Sequence, residues 1–200
     1  MDGIVVKTQS SPSTYPVALA HDGKSIWHSD ATSLLVYLID KKINVLKSFS
    51  KIGLSTAVIE FDGKDIYQED ATEDNVKQTD LSGKAKKTFS TPGTGPFALC
   101  FDGKYFWLND TGTNLIYQID RSGNIVKSFA APGTGIYGIG FDGKNLFMIS
   151  WSTVLIYEVD RSGKTLKTWT APSATPFSFA FDGRFFWSCN YGAGLIYQLA

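Results

Sequence analysis

Glu60 is the residue in this sequence whose type and place most invite chemistry. The chain repeats every forty residues, and the positions equivalent to Glu60 hold Ala20, Cys100, Gly140 and Ala180, all of them small. A glutamate in such a slot must face an open channel or find a partner. Burying it unpaired costs roughly several kcal/mol or drives its pKa upward. A carboxyl so placed can act as acid, base or ligand-orienting group, or it can simply point into a wet channel. A second group of carboxylates lies in Gln68-Glu69-Asp70-Ala71-Thr72-Glu73-Asp74, where four fall within six positions. This segment would attract a divalent cation or a basic partner; close like charges also normally face water, which makes it a solvated acidic loop.

A third set recurs at the ends of equivalent strands: Asp30, Asp70, Asp110, Ser150 and Asn190. A ring of short oxygen-bearing side chains suits a hard cation or sugar hydroxyls. The same residues cap their own loops in Asx turns. Beside them, units four and five place Trp151 and Tyr191 where the others have Ala31, Ala71 and Thr111. Two aromatics there form a platform for a sugar ring or a planar ligand, or else pack on neighbouring loops. His28, with no evident acid or nucleophile partner, and His21, in a position held otherwise by Phe, give little support for catalysis. Cys100 and Cys189 occupy different repeat positions in non-adjacent units and read as free thiols. No EF-hand spacing, His pair, cysteine cluster or Gly-rich phosphate loop is present, so neither metal nor cofactor is expected.

The elements that position these residues are set by the repeat. HDGK begins at His21, FDGK at Phe61, Phe101 and Phe141, and FDGR at Phe181, each forty residues after the last. Asp-Gly between apolar runs predicts a two-residue type I′ hairpin. Before it lies a strand of alternating large and small residues, such as Phe97-Ala98-Leu99-Cys100-Phe101. After it comes a strand with an aromatic at one fixed place: Trp27, Tyr67, Trp107, Phe147 and Trp187. A third strand ends in Asp40, Asp80, Asp120 or Asp160. A fourth, outermost, carries Lys7, Lys47, Lys87, Lys127 or Lys167, a charge that discourages edge-to-edge pairing. Unit two breaks the third-strand pattern, with Asn75, Lys77 and Thr79 in place of large apolar residues. Lys24, Lys64, Lys104, Lys144 and Arg184 are expected to pair across strands with the third-strand aspartates. No segment keeps a helical period.

Four antiparallel strands in about 40 residues is the pattern of a propeller blade. The sequence therefore predicts an all-β, five-bladed β-propeller spanning residues 1–200 as a single domain. The chain begins with a fourth-type strand, residues 3–9, and ends with a third-type strand, so pairing the two closes the ring as a 3+1 blade. The repeat PGTGPFALCFDGKYFWLNDTGTNLIYQIDRSGNIVKSF, from Pro92, resembles the blades of streptogramin-lyase-like and NHL-type propellers. That resemblance covers the whole chain at blade level and implies the fold. Streptogramin lyases are seven-bladed and use a catalytic histidine and a metal-bound glutamate. With five units and two histidines here, no catalytic residue is carried over. Plant-type glutaminyl cyclases are five-bladed too, without a matching active-site motif in this chain.

Formal net charge is zero and the pI is about 6.7, which disfavours a nucleic-acid or anionic-membrane partner. No apolar run is long enough for a membrane helix, and the first residues do not read as a signal peptide. The sequence points to a monomeric, non-enzymatic binding propeller. Its ligand would be a small polar molecule, a glycan or a protein loop, held at the channel mouth by Asp30, Asp70, Asp110, Asn190, Trp151 and Tyr191, with Glu60 and Glu69 as further candidates. The alternatives are a lyase or hydrolase using Glu60, Glu69 and Asp70, and a structural interaction module.

Overall fold

The computed structural model describes residues 3–53 and 56–200. Leu54 and Ser55 of the unit-two loop lie outside the described residues, as do the first two residues of the chain. Strand β1 (Val5–Ser10) comes first. Blade 1 follows as β2 (Pro16–His21), β3 (Ile26–Asp30), β4 (Leu35–Ile39) and β5 (Val45–Ser50). Blade 2 is β6 (Thr56–Phe61), β7 (Ile66–Asp70), β8 (Asn75–Thr79) and β9 (Ala85–Ser90). Blade 3 is β10 (Pro96–Phe101), β11 (Phe106–Asp110), β12 (Leu115–Ile119) and β13 (Ile125–Ala130). Blade 4 is β14 (Ile136–Phe141), β15 (Leu146–Ser150), β16 (Leu155–Val159) and β17 (Thr165–Thr170). Blade 5 is β18 (Pro176–Phe181), β19 (Phe186–Asn190) and β20 (Leu195–Leu199), completed by β1 in the order β1-β20-β19-β18. The ring thus closes as the sequence predicts, with Val5 opposite Leu199 and Ser10 opposite Leu195. No helix occurs among the described residues.

The core sits in the five seams between blades, one apolar cluster in each. Trp27, Trp107, Trp187, Tyr67 and Phe106 are its largest fully buried side chains. Each such ring withdraws roughly 150–250 Å² from water, worth about 4–6 kcal/mol. The facing surface must be flat. At the axis it is flat enough that a Cβ on Gly138 would lie 2.5 Å from the backbone carbon of Ser178. Ser178 itself takes a left-handed backbone, φ 57°, inside β18, where the pairing with β19 is irregular. Its hydroxyl accepts the Leu19 amide at 2.8 Å and ties blade 5 to blade 1.

Two local expectations change. The Asp-Gly hairpins span four residues, not two, and only glycine has positive φ (Gly23 at 92°, Gly103 at 92°). The aspartate acts through its side chain: one oxygen of Asp102 accepts the amides of Lys104 and Tyr105 at 3.0 and 2.7 Å. The lysines after the turns do not carry the described ion pairs. Three of those run between blades, from a residue of the β12–β13 type of turn to the Asp-Gly aspartate of the preceding blade: Arg121 to Asp62, Arg161 to Asp102 at 3.3 Å, and Lys41 to Asp182 at 2.7 Å. Arg121 and Arg161 also lie over the rings of Phe101 and Phe141, 4.7 Å from each centroid.

The seam between blades 1 and 2 departs from this arrangement. The position equivalent to Arg121 is Leu81, which is 41% exposed. Leu81→Arg is therefore expected to reach Asp22 and Phe61 together and to add about 0.5–1 kcal/mol. The measurement is thermal unfolding with and without Asp22→Ala in the background. An equal gain in both would show that no latch forms.

Candidate functional site

The loop face, opposite the Asp-Gly turns, holds most of the predicted site residues. Asp30 accepts the Tyr15, Thr32 and Ser33 amides, each at 2.8 Å. Burial pushes its pKa up, but these bonds outweigh burial and leave it below the ordinary value. Asp110 accepts the amides of Gly95 at 2.8 Å and Thr113 at 2.7 Å. Ser150 donates to the Thr134 carbonyl and accepts the Thr153 amide. One oxygen of Asn190 takes the Thr175 hydroxyl and the Gly192 and Ala193 amides. Each of these side chains is buried and bonded to its own loops.

What the loop face presents is aromatic. Trp151 and Tyr191 come together edge to face, centroids 5.9 Å apart. They join Phe177, at 5.8 and 5.5 Å, then Tyr137, Phe97 and, on the other side, Tyr15. The result is a continuous arc of rings over blades 3, 4, 5 and the blade-1 loop. Trp151, Tyr191, Tyr137 and Phe97 are half-buried, and Tyr15 is 41% exposed. Phe97, Tyr137 and Phe177 share one repeat position, the second residue of the inner strand, which is Val17 in unit one. That asymmetry is visible in the sequence but reads there as core alternation.

The acidic loop of blade 2 carries its own cation. Lys77 Nζ lies 3.1 Å from Asp70 and 2.8 Å from Glu73, and Asp70 also caps Thr72 and Glu73. Strand β8 is intact, paired to both neighbours, so Asn75, Lys77 and Thr79 are polar substitutions within a strand rather than a break. Gln78 donates to Asp65 at 2.6 Å, and Lys86 pairs with Asp65. Glu69 is separate from this network. It is fully buried, and neither carboxyl oxygen has a partner. Its equivalents Asn109 and Cys189 donate to the carbonyls of Ile136 and Pro16, at the start of the next blade. Burial foremost, then Asp70 and Asp74, holds its pKa well above the ordinary value.

Glu60 lies elsewhere. At the waist of the channel Val17, Ala18, Val58, Ile59, Leu99, Ile139 and Ser178 leave no room for a water. Below the waist, toward the Asp-Gly face, a cavity of about 130 Å³ is lined by Glu60, His21, Cys100 and a ring of phenylalanines. Glu60 is therefore cut off from the Trp151–Tyr191 arc. Burial foremost raises its pKa to about 8, against the opposing pull of the Phe61 and Phe101 backbone amides. The side chain is densely surrounded but half-buried, since the cavity reaches it. His21 Nδ1 accepts the Gly23 amide at 3.0 Å, which leaves Nε2 buried without a partner.

His28 has a partner that sequence spacing does not reveal. Ser11 Oγ is 3.0 Å from Nε2, and the Ala18 carbonyl is 3.3 Å from Nδ1. Burial lowers the His28 pKa to about 4, so the ring is neutral. In blade 2 the equivalent Gln68 accepts the Ile52 amide at 3.1 Å. Both side chains clamp the loop that enters their blade, and Asp30, the carboxylate acting on His28, is already bonded to its own loop.

No family model matches the sequence, and no curated protein matches it. Solved structures share the fold. Glutaminyl cyclase of Myxococcus xanthus superposes with a TM-score of 0.77 at 13% identity, covering 98% of this chain and 95% of that one. A catalytically inactive virginiamycin B lyase from Staphylococcus aureus, solved with quinupristin, gives 0.59 at 18% identity, covering 95% and 67%. A streptogramin B lyase gives 0.54 at 15% identity, covering 92% and 66%. At these identities the likeness is one of fold, and these neighbours are enzymes.

Proposed function

We propose that this chain is a non-enzymatic binding propeller whose loop face holds a small polar ligand with a flat apolar side, a sugar ring above all. The observation that carries this reading is the arc of Tyr15, Tyr191, Phe177, Trp151, Tyr137 and Phe97 at one side of the channel mouth. Aromatic rings bind such a face at low entropic cost, and the loop hydroxyls of Thr14 and Thr32 stand nearby for polar contact. Asp30, Asp70, Asp110 and Asn190 then act by shaping the loops rather than by touching the ligand, and Glu69 lies beneath them. The test is a glycan and small-molecule screen read by tryptophan fluorescence. Trp151→Ala and Tyr191→Ala are each expected to weaken a hit at least about tenfold. Unchanged affinity in both would end the reading.

A second reading is favoured by Glu60 alone. A carboxyl that is part protonated near neutral pH suits general acid–base work. Assays for glutaminyl-peptide cyclisation and for quinupristin cleavage test it. Turnover lost in Glu60→Gln but kept in Trp151→Ala would favour an enzyme over the binding module.

A further inference from the structure

We propose that the Asp-Gly face carries, at the seam between blades 1 and 2, a docking slot for the guanidinium of an arginine on a partner polypeptide. The chain itself shows what such a slot holds. At the next seam Arg121 pairs with Asp62 while lying over Phe101, and at the one after it Arg161 pairs with Asp102 while lying over Phe141. Lys41 pairs with Asp182 where His21 replaces the phenylalanine. The fifth equivalent, Met1, lies outside the described residues. The seam between blades 1 and 2 keeps the aspartate and the ring, Asp22 and Phe61, but its turn residue is Leu81. The turn is docked as in the other copies: Lys47 donates to the Leu81 carbonyl at 2.5 Å, as Lys87 and Lys127 donate to those of Arg121 and Arg161. Only the side chain differs, and a leucine ends well short of where a guanidinium carbon would lie.

Among the described residues no cation or second aromatic ring meets Phe61, and Asp22 bonds the Lys24 and Ser25 amides through one oxygen only. Its other oxygen and the Trp27 indole, 2% exposed and without a partner, are the two groups that a filled copy joins: Asp102 Oδ2 meets both the Trp107 indole and Arg161. Lys24 does not serve in place of the arginine, since its equivalents Lys104 and Arg184 lie over Tyr105 and Phe185 instead. A guanidinium offers a fork of donors to the carboxylate and a flat face to the ring, which an ammonium does not. Magnitude then names its carrier. One exposed ion pair with one ring contact gains only about two- to fivefold in affinity, too little to retain a free small molecule. A polypeptide adds apolar contacts, offered by Leu81, 41% exposed, and by Val45, 49% exposed on the edge strand β5 that carries Lys47.

The experiment titrates the whole protein, labelled at its tryptophan indoles, with the peptide acetyl-Leu-Arg-Leu-amide, with its lysine twin, and with acetylarginine amide alone. The Trp27 indole resonance should move saturably and several-fold further than those of the other four tryptophans. The lysine twin and acetylarginine amide should each bind at least about threefold more weakly. Leu81→Arg fills the slot from within and should abolish the response, and Asp22→Asn should weaken it at least about threefold. Arg161→Ala should open a second slot at Asp102 and Phe141, so that the Trp107 indole responds as well. An unmoved Trp27 indole, a response kept in Leu81→Arg, a silent Trp107 indole in Arg161→Ala, or equal binding of the lysine twin would each overturn the proposal. Equal binding of acetylarginine amide would overturn the polypeptide as its occupant. If Asp22→Asn does not fold, Leu81→Arg and Arg161→Ala decide, since both change exposed side chains.

Discussion

Glu60→Gln is expected to raise the melting temperature at pH 8 by about 4–8 °C and to leave it nearly unchanged at pH 5. The folded pKa of Glu60 is about 8 against an ordinary 4.5, so the folded chain holds this proton more tightly than the unfolded one. Stability from that proton is full below pH 4.5 and is lost as pH rises toward 8. The limiting slope for one group is about 1.4 kcal/mol per pH unit. Solvent access through the cavity reduces the total to about 2 kcal/mol, which at this chain length is the stated shift. Glu69 acts in the same sense from its own buried slot. His28 acts in the opposite sense: its pKa is depressed from 6.5 to about 4, so stability is lost as pH falls through that window. Wild-type protein should thus gain stability from pH 8 to pH 6.5 and gain less per pH unit below that, as His28 begins to oppose the two glutamates. Thermal unfolding of both proteins at pH 5, 6.5 and 8 tests this, and parallel curves would refute the assignment of a neutral Glu60.

Asp102→Ala should cost about 3 kcal/mol, whereas Asp22→Ala, at the same repeat position, should cost about 1 kcal/mol. The Asp102 side chain is 1% exposed and meets the Lys104 and Tyr105 amides, the Trp107 indole at 2.9 Å and Arg161 at 3.3 Å. Its loss strands a buried indole N–H and undoes the tie between blades 3 and 4. Asp22 meets only the Lys24 and Ser25 amides among the described contacts, and the Trp27 indole nitrogen is already without a partner. Denaturant unfolding of the two variants measures the difference. Equal costs would mean that the hairpin alone, and not the seam, is what the aspartate stabilises.

That contrast also shows what the sequence could and could not reveal. The forty-residue period, the strand alternation and the phase of the two ends are local or additive signals, and they suffice for five blades and the 3+1 closure. The Asp-Gly pair was legible as a turn but not as this turn. The dipeptide serves a left-handed hairpin and an Asx-capped one equally well, and only the position of the Lys24 and Ser25 amides separates them. Glu60 was legible as an anomaly because four symmetry mates are small; that it opens away from Trp151 depends on the closed waist, which apolar residue types cannot announce. Trp151 and Tyr191 stood out for the same reason as Glu60. Their companions Phe97, Tyr137 and Phe177 did not, since a phenylalanine at a channel mouth and one in a core look alike in sequence. Lys77 reads as damage to a strand until Asp70 and Glu73 are seen beside it. The Ser11–His28 contact joins a loop to a strand seventeen residues on, which no periodicity encodes.

The pairing of β1 with β20 has a consequence for how the molecule is made. At about 5–20 residues per second, the first strand waits roughly 10–40 s on the ribosome-bound chain before its neighbour is synthesised. During that interval Val5 and Val6, which remain 40% and 52% exposed even in the finished ring, belong to a ribbon with no sheet to join. Lys7 falls in the same ribbon and disfavours its capture by other nascent chains. Blades 1 to 4 can each form from contiguous chain as they emerge, whereas blade 5 needs β1 as well as β18 to β20 and closes only after all of them are made.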